Sequence, residues 1–240
     1  MKILYTNIRS IRRNFEELEV IAANSQYQII VLTECWIRNQ EENIPRLDNY
    51  SIVFVSSNYG KSGGIVIYVK SFLNYEQINI KKILDHDISD EFLYINIKNI
   101  KLNVIAIYRH PSTDIKLFFK NLEKLFISKY LNNGNKTILL GDININIMNT
   151  TKETEEYKNI LKYFDYIILN KEYTFIRKNY RSILDHIMIK SRNLDYFHYQ
   201  ISEHNITDHE IIEISYKIDA TDFDVKNSRR LYTKKHKQIY

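Results

Sequence analysis

The segment Ile29-Ile30-Val31-Leu32-Thr33-Glu34 joins a continuous apolar run to a carboxylate. An apolar run without alternation is typical of a strand that is covered on both faces. The polar residue at its end would lie at the edge of the sheet, where loops leave a rigid scaffold and ligand sites gather. We therefore predict a buried strand over 28–33, with Glu34 on the rim of a site.

The same arrangement recurs along the chain, because polar residues stand at the ends of the other apolar runs. Several acids, two asparagines and a histidine on one rim indicate a site for a hard cation, since Mg²⁺ takes oxygen ligands and usually only one or two carboxylates. The residues concerned are Asn7, Tyr108, Asp142, Asn144, Asp185, Asp208 and His209.

Most of these residues also have an ordinary structural explanation. Glu34 could be an exposed strand end, 142–144 an Asx turn, and 208–209 a cap. Asp185 is more informative because it interrupts an apolar run, and an unpaired buried carboxylate costs on the order of several kcal/mol. Asp185 therefore needs a partner, and His209 is the natural candidate.

Apolar periodicity predicts strands with helices spaced between them. One helix is predicted to be capped by Ser10, a second to begin at Thr113 and a third to cover 151–164. His186 would point to the strand face opposite Asp185 and is interpreted as structural. The predicted strands cover 3–8, 28–33, 50–56, 65–70, 92–97, 102–108, 137–140, 174–175, 183–189 and 211–216. This order predicts one α/β (α+β) domain of two packed sheets with helices outside.

The 240-residue chain has a formal net charge of +5, and the excess lies at its C-terminal end. Residues 225–240 hold six basic residues and no acid, which leaves 28 basic against 29 acidic residues in the rest. This tail could bind phosphates, through Arg229 and Arg230 among others, or it could be a solvated linker.

Composition excludes several classes of protein. The single cysteine, Cys35, excludes a disulfide scaffold and a zinc knuckle built on several cysteines. The first residues lack the apolar core and the cleavage site of a signal peptide, and no apolar run approaches the roughly 18–20 residues of a membrane span. We therefore expect a protein that is neither secreted nor embedded in a membrane.

As an ordered set, the rim residues and their neighbours resemble the endonuclease/exonuclease/phosphatase superfamily, most closely the endonuclease domain of LINE-type (non-LTR) retrotransposons. The resemblance covers residues 1–216. It implies a four-layer α/β sandwich with two packed mixed β-sheets flanked by helices, and hydrolysis of phosphodiester or phosphomonoester bonds with Mg²⁺ or Mn²⁺. The matching segments are TNIRS at 6–10, LTECW at 32–36, GGIVIYVK at 63–70, IYRHP at 107–111, LGDINI at 140–145, SILDHI at 182–187 and TDH at 207–209.

The resemblance implies a metal site and a general base. Glu34 would bind the metal with help from Asn7, which would also contact the phosphate. Asp208 would support a second metal position or the attacking water. Asp142 would orient and deprotonate that water, and Asn144 would hold the water or the phosphate.

The resemblance also implies roles around the scissile phosphate. Asp185 would accept a hydrogen bond from His209, whose ring would face the phosphate. Tyr108 would donate its hydroxyl to a phosphate oxygen. Thr174 and Ser182 would make phosphate contacts or brace the site.

The implied function is a metal-dependent DNA endonuclease that nicks double-stranded target DNA for retrotransposition and leaves a 3′-hydroxyl and a 5′-phosphate. Residues 1–217 would form this domain, and 218–240 a basic connector or tail toward a reverse transcriptase. Such a protein would be synthesised in the cytoplasm and act in the nucleus. Arg9 and Pro111 stand where related abasic-site endonucleases carry Asp and Asn, which disfavours abasic-site repair.

Two alternatives stay open from the sequence. The first is another phosphoesterase of the same fold, acting on a phosphoinositide, sphingomyelin or RNA. The second is a catalytically inactive DNA-binding remnant.

Overall fold

The computed structural model describes residues 1–39, 43–57, 62–84 and 91–218. Arg229, Arg230 and the rest of the predicted connector from residue 219 onward lie outside the described residues. The described part contains fourteen β-strands and three α-helices. None of the helices in this part is long and apolar enough to cross a membrane.

The strands are three to nine residues long. In chain order they are β1 (Lys2–Asn7), β2 (Ile29–Thr33), β3 (Tyr50–Val55), β4 (Ile65–Lys70), β5 (Tyr75–Ile78), β6 (Glu91–Ile97), β7 (Leu102–Tyr108), β8 (Lys136–Asp142), β9 (Tyr166–Ile168), β10 (Phe175–Arg177), β11 (Tyr180–Ser182), β12 (Asp185–Lys190), β13 (Phe197–Asn205) and β14 (Glu210–Tyr216). The helices are α1 (Phe15–Asn24), α2 (Ile115–Ile127) and α3 (Lys152–Tyr163).

Twelve of these strands form two six-stranded sheets, with the orders β13-β14-β1-β2-β4-β3 and β5-β6-β7-β8-β12-β9. Each sheet is mixed, because it contains one parallel pair, β1 with β2 or β7 with β8, beside antiparallel pairs. The remaining strands, β10 and β11, form a separate antiparallel hairpin.

The two sheets pack face to face around one hydrophobic cluster. Alternate residues of each strand point into it, such as Tyr5 from β1 and Ile187 from β12. α2 and α3 cover the outer face of the second sheet with residues such as Phe118 and Tyr157, and α1 covers the first sheet with Leu18. The predicted four-layer α/β sandwich is confirmed. Because each fully buried apolar side chain contributes about 1.5–3 kcal/mol, this core holds the two sheets firmly together.

Strand register brings the predicted polar residues to one edge of the sandwich. Asn7 ends β1 and Glu34 directly follows β2, and these strands are parallel neighbours. In the second sheet Tyr108 lies opposite Asp142, and Asp142 lies opposite Asp185. The two sheets therefore present their functional candidates side by side.

Gly141 lets β7 and β8 approach closely beside this edge. It lies opposite Ile107, and a Cβ built on it would be 2.0 Å from the Ile107 carbonyl oxygen. Only glycine fits such an approach. The prediction ended this strand at residue 140, but it continues through Asp142, so the carboxylate is held by strand pairing.

The predicted start of the first helix is wrong. α1 begins at Phe15, because Ser10 adopts a left-handed φ of +87° and its hydroxyl accepts the Arg13 amide in a turn. The helix is preceded instead by Asn14, whose side-chain amide donates to the Ile8 carbonyl at 2.7 Å.

Four strands were not predicted: β5, β9, β11 and β13. The first three have only three or four residues. β13 is an edge strand with many polar side chains, and a register shift interrupts its pairing. Neither an apolar run nor a strict alternation marks such strands in the sequence.

Candidate active site

Two carboxylates converge on one buried amide at the edge of the sandwich. Nδ2 of Asn7 donates to Oε1 of Glu34 at 3.0 Å and to Oδ2 of Asp142 at 2.9 Å. The backbone amide of Arg9 donates to Oδ1 of Asn7 at 3.2 Å, which orients the side chain. Asn7 thus ties the first sheet to the second, since Asp142 belongs to β8.

The loop that carries Glu34 is shaped by two glycines. Glu34 has a left-handed φ of +49°, and the next amide, of Cys35, donates to the Gly64 carbonyl at 2.9 Å. The Gly64 amide donates to the buried carboxylate of Glu91 at 2.5 Å, and a Cβ on Gly63 would lie 2.4 Å from Oε1 of Glu91. Glu91 is therefore a positioning residue that the sequence reasoning missed.

Tyr108 joins this cluster from the end of β7. Its hydroxyl donates to Oε1 of Glu34 at 3.3 Å, and its side chain is buried. Burial and the charges of Glu34 and Asp142 raise the pKa of Tyr108 well above its usual range. The hydroxyl is therefore a neutral donor at physiological pH.

A second cluster lies beside the first. Nδ1 of His209 is 2.8 Å from Oδ2 of Asp185, and the hydroxyl of Tyr5 donates to Oδ1 of Asp185 at 2.6 Å. All three side chains are buried. The predicted Asp185–His209 pair is thus present in the structure. Tyr5 was missed, although it lies two residues before Asn7 and so shares its strand face.

Thr174 and Ser182 flank this second cluster. The Thr174 hydroxyl is fully buried and accepts the amides of Leu184 at 3.0 Å and Asp185 at 2.9 Å. These contacts match the bracing role that the prediction gave as one of two options. Ser182 is also buried, and its hydroxyl has no hydrogen-bond partner within the described residues.

Asn144 lies at the turn after Asp142. Its backbone amide donates to Oδ1 of Asp142 at 3.0 Å, and its Nδ2 donates to the Arg109 carbonyl at 2.8 Å. The buried Arg109 guanidinium in turn donates to the carbonyls of Ile143 at 2.6 Å and Asn144 at 2.9 Å. Arg109 therefore locks this turn. Because Nδ2 of Asn144 is engaged, its oxygen is the atom left for a ligand.

Asp208 pairs with an arginine. Its Oδ1 lies 3.0 Å from Nε of Arg9, and the two side chains are 20% and 36% exposed. The neighbouring Thr207 hydroxyl donates to the Asn7 carbonyl at 2.9 Å and accepts the His209 amide at 3.1 Å. The segment that carries Asp208 and His209 is thereby anchored to β1.

The surroundings raise the pKa of both Asp142 and His209, which favours a neutral carboxyl and a charged imidazole. Burial and the charges of Asp185 and Glu34 raise the pKa of Asp142, although His209 and Asn7 partly oppose this shift. Burial alone would lower the pKa of His209, but Asp185 and Asp142 outweigh it and raise that pKa. The site therefore favours a carboxyl poised to hold a proton beside a protonated imidazole.

Two groups of side chains here could hold a divalent cation. Asp142, Asp185 and His209 each offer one ligand atom within 4.8 Å of the others. However, Asp185 and His209 already bond each other. The second group is Glu34 with its neighbours Asn7 and Asp142. The Glu34 carboxylate fits better, because it has no ion-pair partner within the described residues and Mg²⁺ favours oxygen ligands. Nδ2 of Asn7 holds it beside Asp142.

An exposed basic hairpin borders these clusters. It consists of β10 and β11, and its base is attached to the site through the Ile176 amide, which donates to the Asp208 carbonyl at 2.9 Å. Phe175 packs edge-on against His209, with ring centroids 4.9 Å apart. The exposed side chains of the hairpin include Arg177, Lys178, Tyr180 and Arg181.

Residues 4–209 match the model of the Endonuclease/Exonuclease/phosphatase family. Among solved structures, the chain is similar to the endonuclease domain of TRAS1, a telomere-specific non-LTR retrotransposon, with a TM-score of 0.73 and 14% identity over 90% of this chain and 98% of that one. It is similar to the AP endonuclease LMAP from Leishmania major, with a TM-score of 0.74 and 11% identity over 91% and 88% of the two chains. It is also similar to the 3′-5′ exonuclease NExo from Neisseria meningitidis, with a TM-score of 0.71 and 14% identity over 90% of this chain and 100% of that one. No curated protein is detectably similar in sequence.

Proposed function

The chain belongs to the endonuclease/exonuclease/phosphatase family, and on that premise we propose that it is a metal-dependent DNA endonuclease that nicks target DNA for retrotransposition. The observation that carries the proposal is that the two clusters meet at Asp142, which is bonded to the first sheet and paired within the second. Asn7 bonds both Glu34 and Asp142, and Asp142 lies opposite Asp185, the partner of His209. A general base, a cation site and an imidazolium are thereby within reach of one phosphate.

Asp142 is the general base of this mechanism. It orients a water molecule and takes its proton as the water oxygen bonds to phosphorus. Its raised pKa suits this role, because a general base works best when its pKa lies near the working pH. The oxygen of Asn144 accepts the second hydrogen of the water, since its nitrogen is held by Arg109.

His209 faces the phosphate as a charged donor. Asp185 bonds Nδ1 of the ring, which leaves Nε2 for a phosphate oxygen. Tyr108 turns its hydroxyl from Glu34 to another phosphate oxygen. The bond between phosphorus and the 3′-oxygen breaks, and the leaving oxygen takes up a proton from solvent. The products carry a 3′-hydroxyl and a 5′-phosphate, and Asp142 releases its proton to solvent.

Glu34 would hold Mg²⁺ or Mn²⁺ with help from Asn7, which leaves the neighbouring Asp142 carboxylate to act as the base. When bound, the ion supplies Lewis-acid stabilisation of charge on the phosphate and on the leaving oxygen. Three carboxylates close together, those of Glu34, Asp142 and Asp185, favour such a cation electrostatically.

Double-stranded DNA is the substrate that the surface supports best. The β10–β11 hairpin places Arg177, Lys178 and Arg181 beside the site, where they can neutralise backbone phosphates. Tyr180 on the same hairpin offers an exposed ring for stacking. In a full-length element we expect a reverse transcriptase as partner, joined through 218–240, and action in the nucleus.

A nicking assay on supercoiled plasmid with Mg²⁺ tests this function. Asp142→Ala and His209→Ala should each lower the nicking rate by a factor of about 10²–10⁴. The matched controls Asp195→Ala and His198→Ala, both exposed, should nick like the wild type. Ligation-ready 5′-phosphates at the nicks would support the stated product chemistry.

Three results would redirect the proposal. Hydrolysis of a phosphoinositide, sphingomyelin or RNA without DNA nicking would favour another phosphoesterase. DNA binding without hydrolysis of any phosphoester would favour an inactive remnant. Nicking by Asp142→Ala at the wild-type rate would refute the site assignment.

A further inference from the structure

Arg9 places a guanidinium directly on the rim of the site. It follows Asn7 by two residues, has a left-handed φ of +44°, and its backbone amide fixes the Asn7 side chain. Its guanidinium carbon lies 5.8 Å from the centroid of the Phe175 ring, which itself packs on His209. The positive charge therefore stands on the imidazole side of the site.

The contact between Arg9 and Asp208 is close but poorly aligned. Nε and Oδ1 are 3.0 Å apart, yet both atoms are buried without a well-directed hydrogen bond within the described residues. A misaligned, partly exposed ion pair contributes little stability, with a median of about 0–1 kcal/mol. The arginine can therefore exchange Asp208 for a better acceptor at small cost.

A phosphate oxygen pair is such an acceptor. The guanidinium presents a planar fork of donors that matches phosphate geometry and is weakly hydrated. About a third of the Arg9 side chain is exposed although Nε is not, so the rest of the side chain is open to an incoming ligand.

We propose that Arg9 is a phosphate-binding residue of this site, that Asp208 is its anchor in the free protein, and that the pair replaces a second metal position at Asp208. The inference rests on the proposed function and names a contact for its DNA substrate. An arginine at this position supplies positive charge where a second cation would otherwise be needed.

The first test measures binding to duplex DNA in EDTA, so that no hydrolysis intervenes. Arg9→Ala should weaken binding about tenfold at low salt and lower the slope of log Kd against log salt by about 0.9, the value for one phosphate contact. Arg9→Lys should keep the slope and lose part of the affinity. Arg13→Ala, an exposed arginine four residues away, is the control and should change the slope less than Arg9→Ala does.

The second test measures Mn²⁺ binding by electron paramagnetic resonance. The wild type should bind one ion per chain, Asp208→Asn should bind it equally well, and Glu34→Gln should bind it at least tenfold more weakly. Loss of Mn²⁺ affinity in Asp208→Asn would overturn the anchor role of Asp208.

An unchanged slope in Arg9→Ala, or no DNA binding by the wild type in EDTA, would overturn the phosphate contact. A wild type that binds DNA in EDTA through Arg9 but never nicks it would refute the proposed function alone.

Discussion

Tyr5 connects the apolar core to the site through a single hydroxyl. That hydroxyl donates to Oδ1 of Asp185 at 2.6 Å and contacts Oγ1 of Thr33 at 3.1 Å, in fully buried surroundings. Asp185 therefore receives donors on both oxygens, one from Tyr5 and one from His209. This arrangement fixes the imidazole ring through the Asp185 carboxylate.

Tyr5→Phe should show how much the site depends on this hydroxyl. Leaving a buried carboxylate oxygen short of one donor costs about 1–3 kcal/mol, which urea unfolding would measure. We also expect a lower kcat for nicking with KM unchanged, because His209 loses its fixed support. Tyr163→Phe, at an 82% exposed tyrosine, is the control. Wild-type stability and kcat in Tyr5→Phe would contradict this role.

His186 gives the fold a pH dependence that is separate from catalysis. Its Nε2 is 3.2 Å from the Ile183 carbonyl and its Nδ1 is 3.0 Å from the Tyr157 hydroxyl, as suits a neutral ring. Burial lowers the pKa of His186 to about 4. The unfolded chain, with a pKa near 6.5, binds the proton more readily, so stability must fall as pH drops from about 6.5 toward 4.

His186→Asn keeps an acceptor for Tyr157 and removes this titration. The stability that the wild type loses between about pH 7.5 and pH 5 should shrink by about 2 kcal/mol in the variant. Urea unfolding at both pH values measures the difference. His198→Asn, at an exposed histidine, should follow the wild type. A variant that loses as much stability as the wild type would disprove the assignment.

At the scale of single residues, the sequence predicted those side chains that end an apolar run. Asn7, Glu34 and Asp142 are of this kind, because the change from apolar to polar is visible without a structure. Tyr5 could not be distinguished from an ordinary core tyrosine. The pairing of Arg9 with Asp208 was equally invisible, since their contact depends on how two distant loops meet.

Among the elements, β8 determines how closely the two halves of the second sheet approach. Gly141→Ala would place a Cβ 2.0 Å from the Ile107 carbonyl oxygen, which is backbone and cannot rotate away. We expect a loss of more than about 3 kcal/mol in unfolding free energy, as for severe overpacking, together with loss of nicking as Asp142 moves.

Gly134→Ala is the matched control for this change. Among the described residues other than its two chain neighbours, no atom lies within 4 Å of a Cβ at Gly134, although its φ of +82° is left-handed. Only the backbone conformation should matter there, at about 1–2 kcal/mol. Equal losses in the two variants would show that close packing at Gly141 is not the decisive feature.

Element prediction succeeded where burial was strong and failed where it was weak. Strands such as β2 and β7 are buried at every position, so their apolar runs are unmistakable. β5 and β13 lie at sheet edges, and their side chains are mixed because half of their surroundings are solvent. The predicted start of α1 was wrong because serine, here Ser10, occurs as readily in a turn as at a helix cap.

For the whole molecule, the order of the motifs was enough to predict the sandwich, but not the contacts across it. Asn7 and Asp142 come from different sheets and are 135 residues apart in the chain, and Tyr5 and Asp185 are 180 apart. Such contacts depend on how one sheet is positioned on the other. Core packing determines that position, and no local sequence pattern encodes it. The site is therefore a property of the packed pair of sheets.

This placement predicts that a divalent ion stabilises the whole fold. Glu34 follows a strand of the first sheet and Asp142 ends a strand of the second, and their mutual repulsion opposes close packing in the free protein. An ion that binds only the native state adds about 2.7 kcal/mol at one hundred times its dissociation constant. Urea unfolding with Mg²⁺ and with EDTA should show this increment in the wild type.

Glu34→Gln distinguishes the stability that the bound ion contributes from the stability of the metal-free fold. Its Oε1 position can still accept from Asn7 and Tyr108, while one negative charge is removed. In EDTA the variant should be at least as stable as the wild type, because repulsion with Asp142 is relieved. With Mg²⁺ it should gain much less, whereas the exposed control Glu123→Gln should gain the full increment. An equal gain in Glu34→Gln and wild type would place the ion elsewhere, at the Asp185–His209 side of the sandwich.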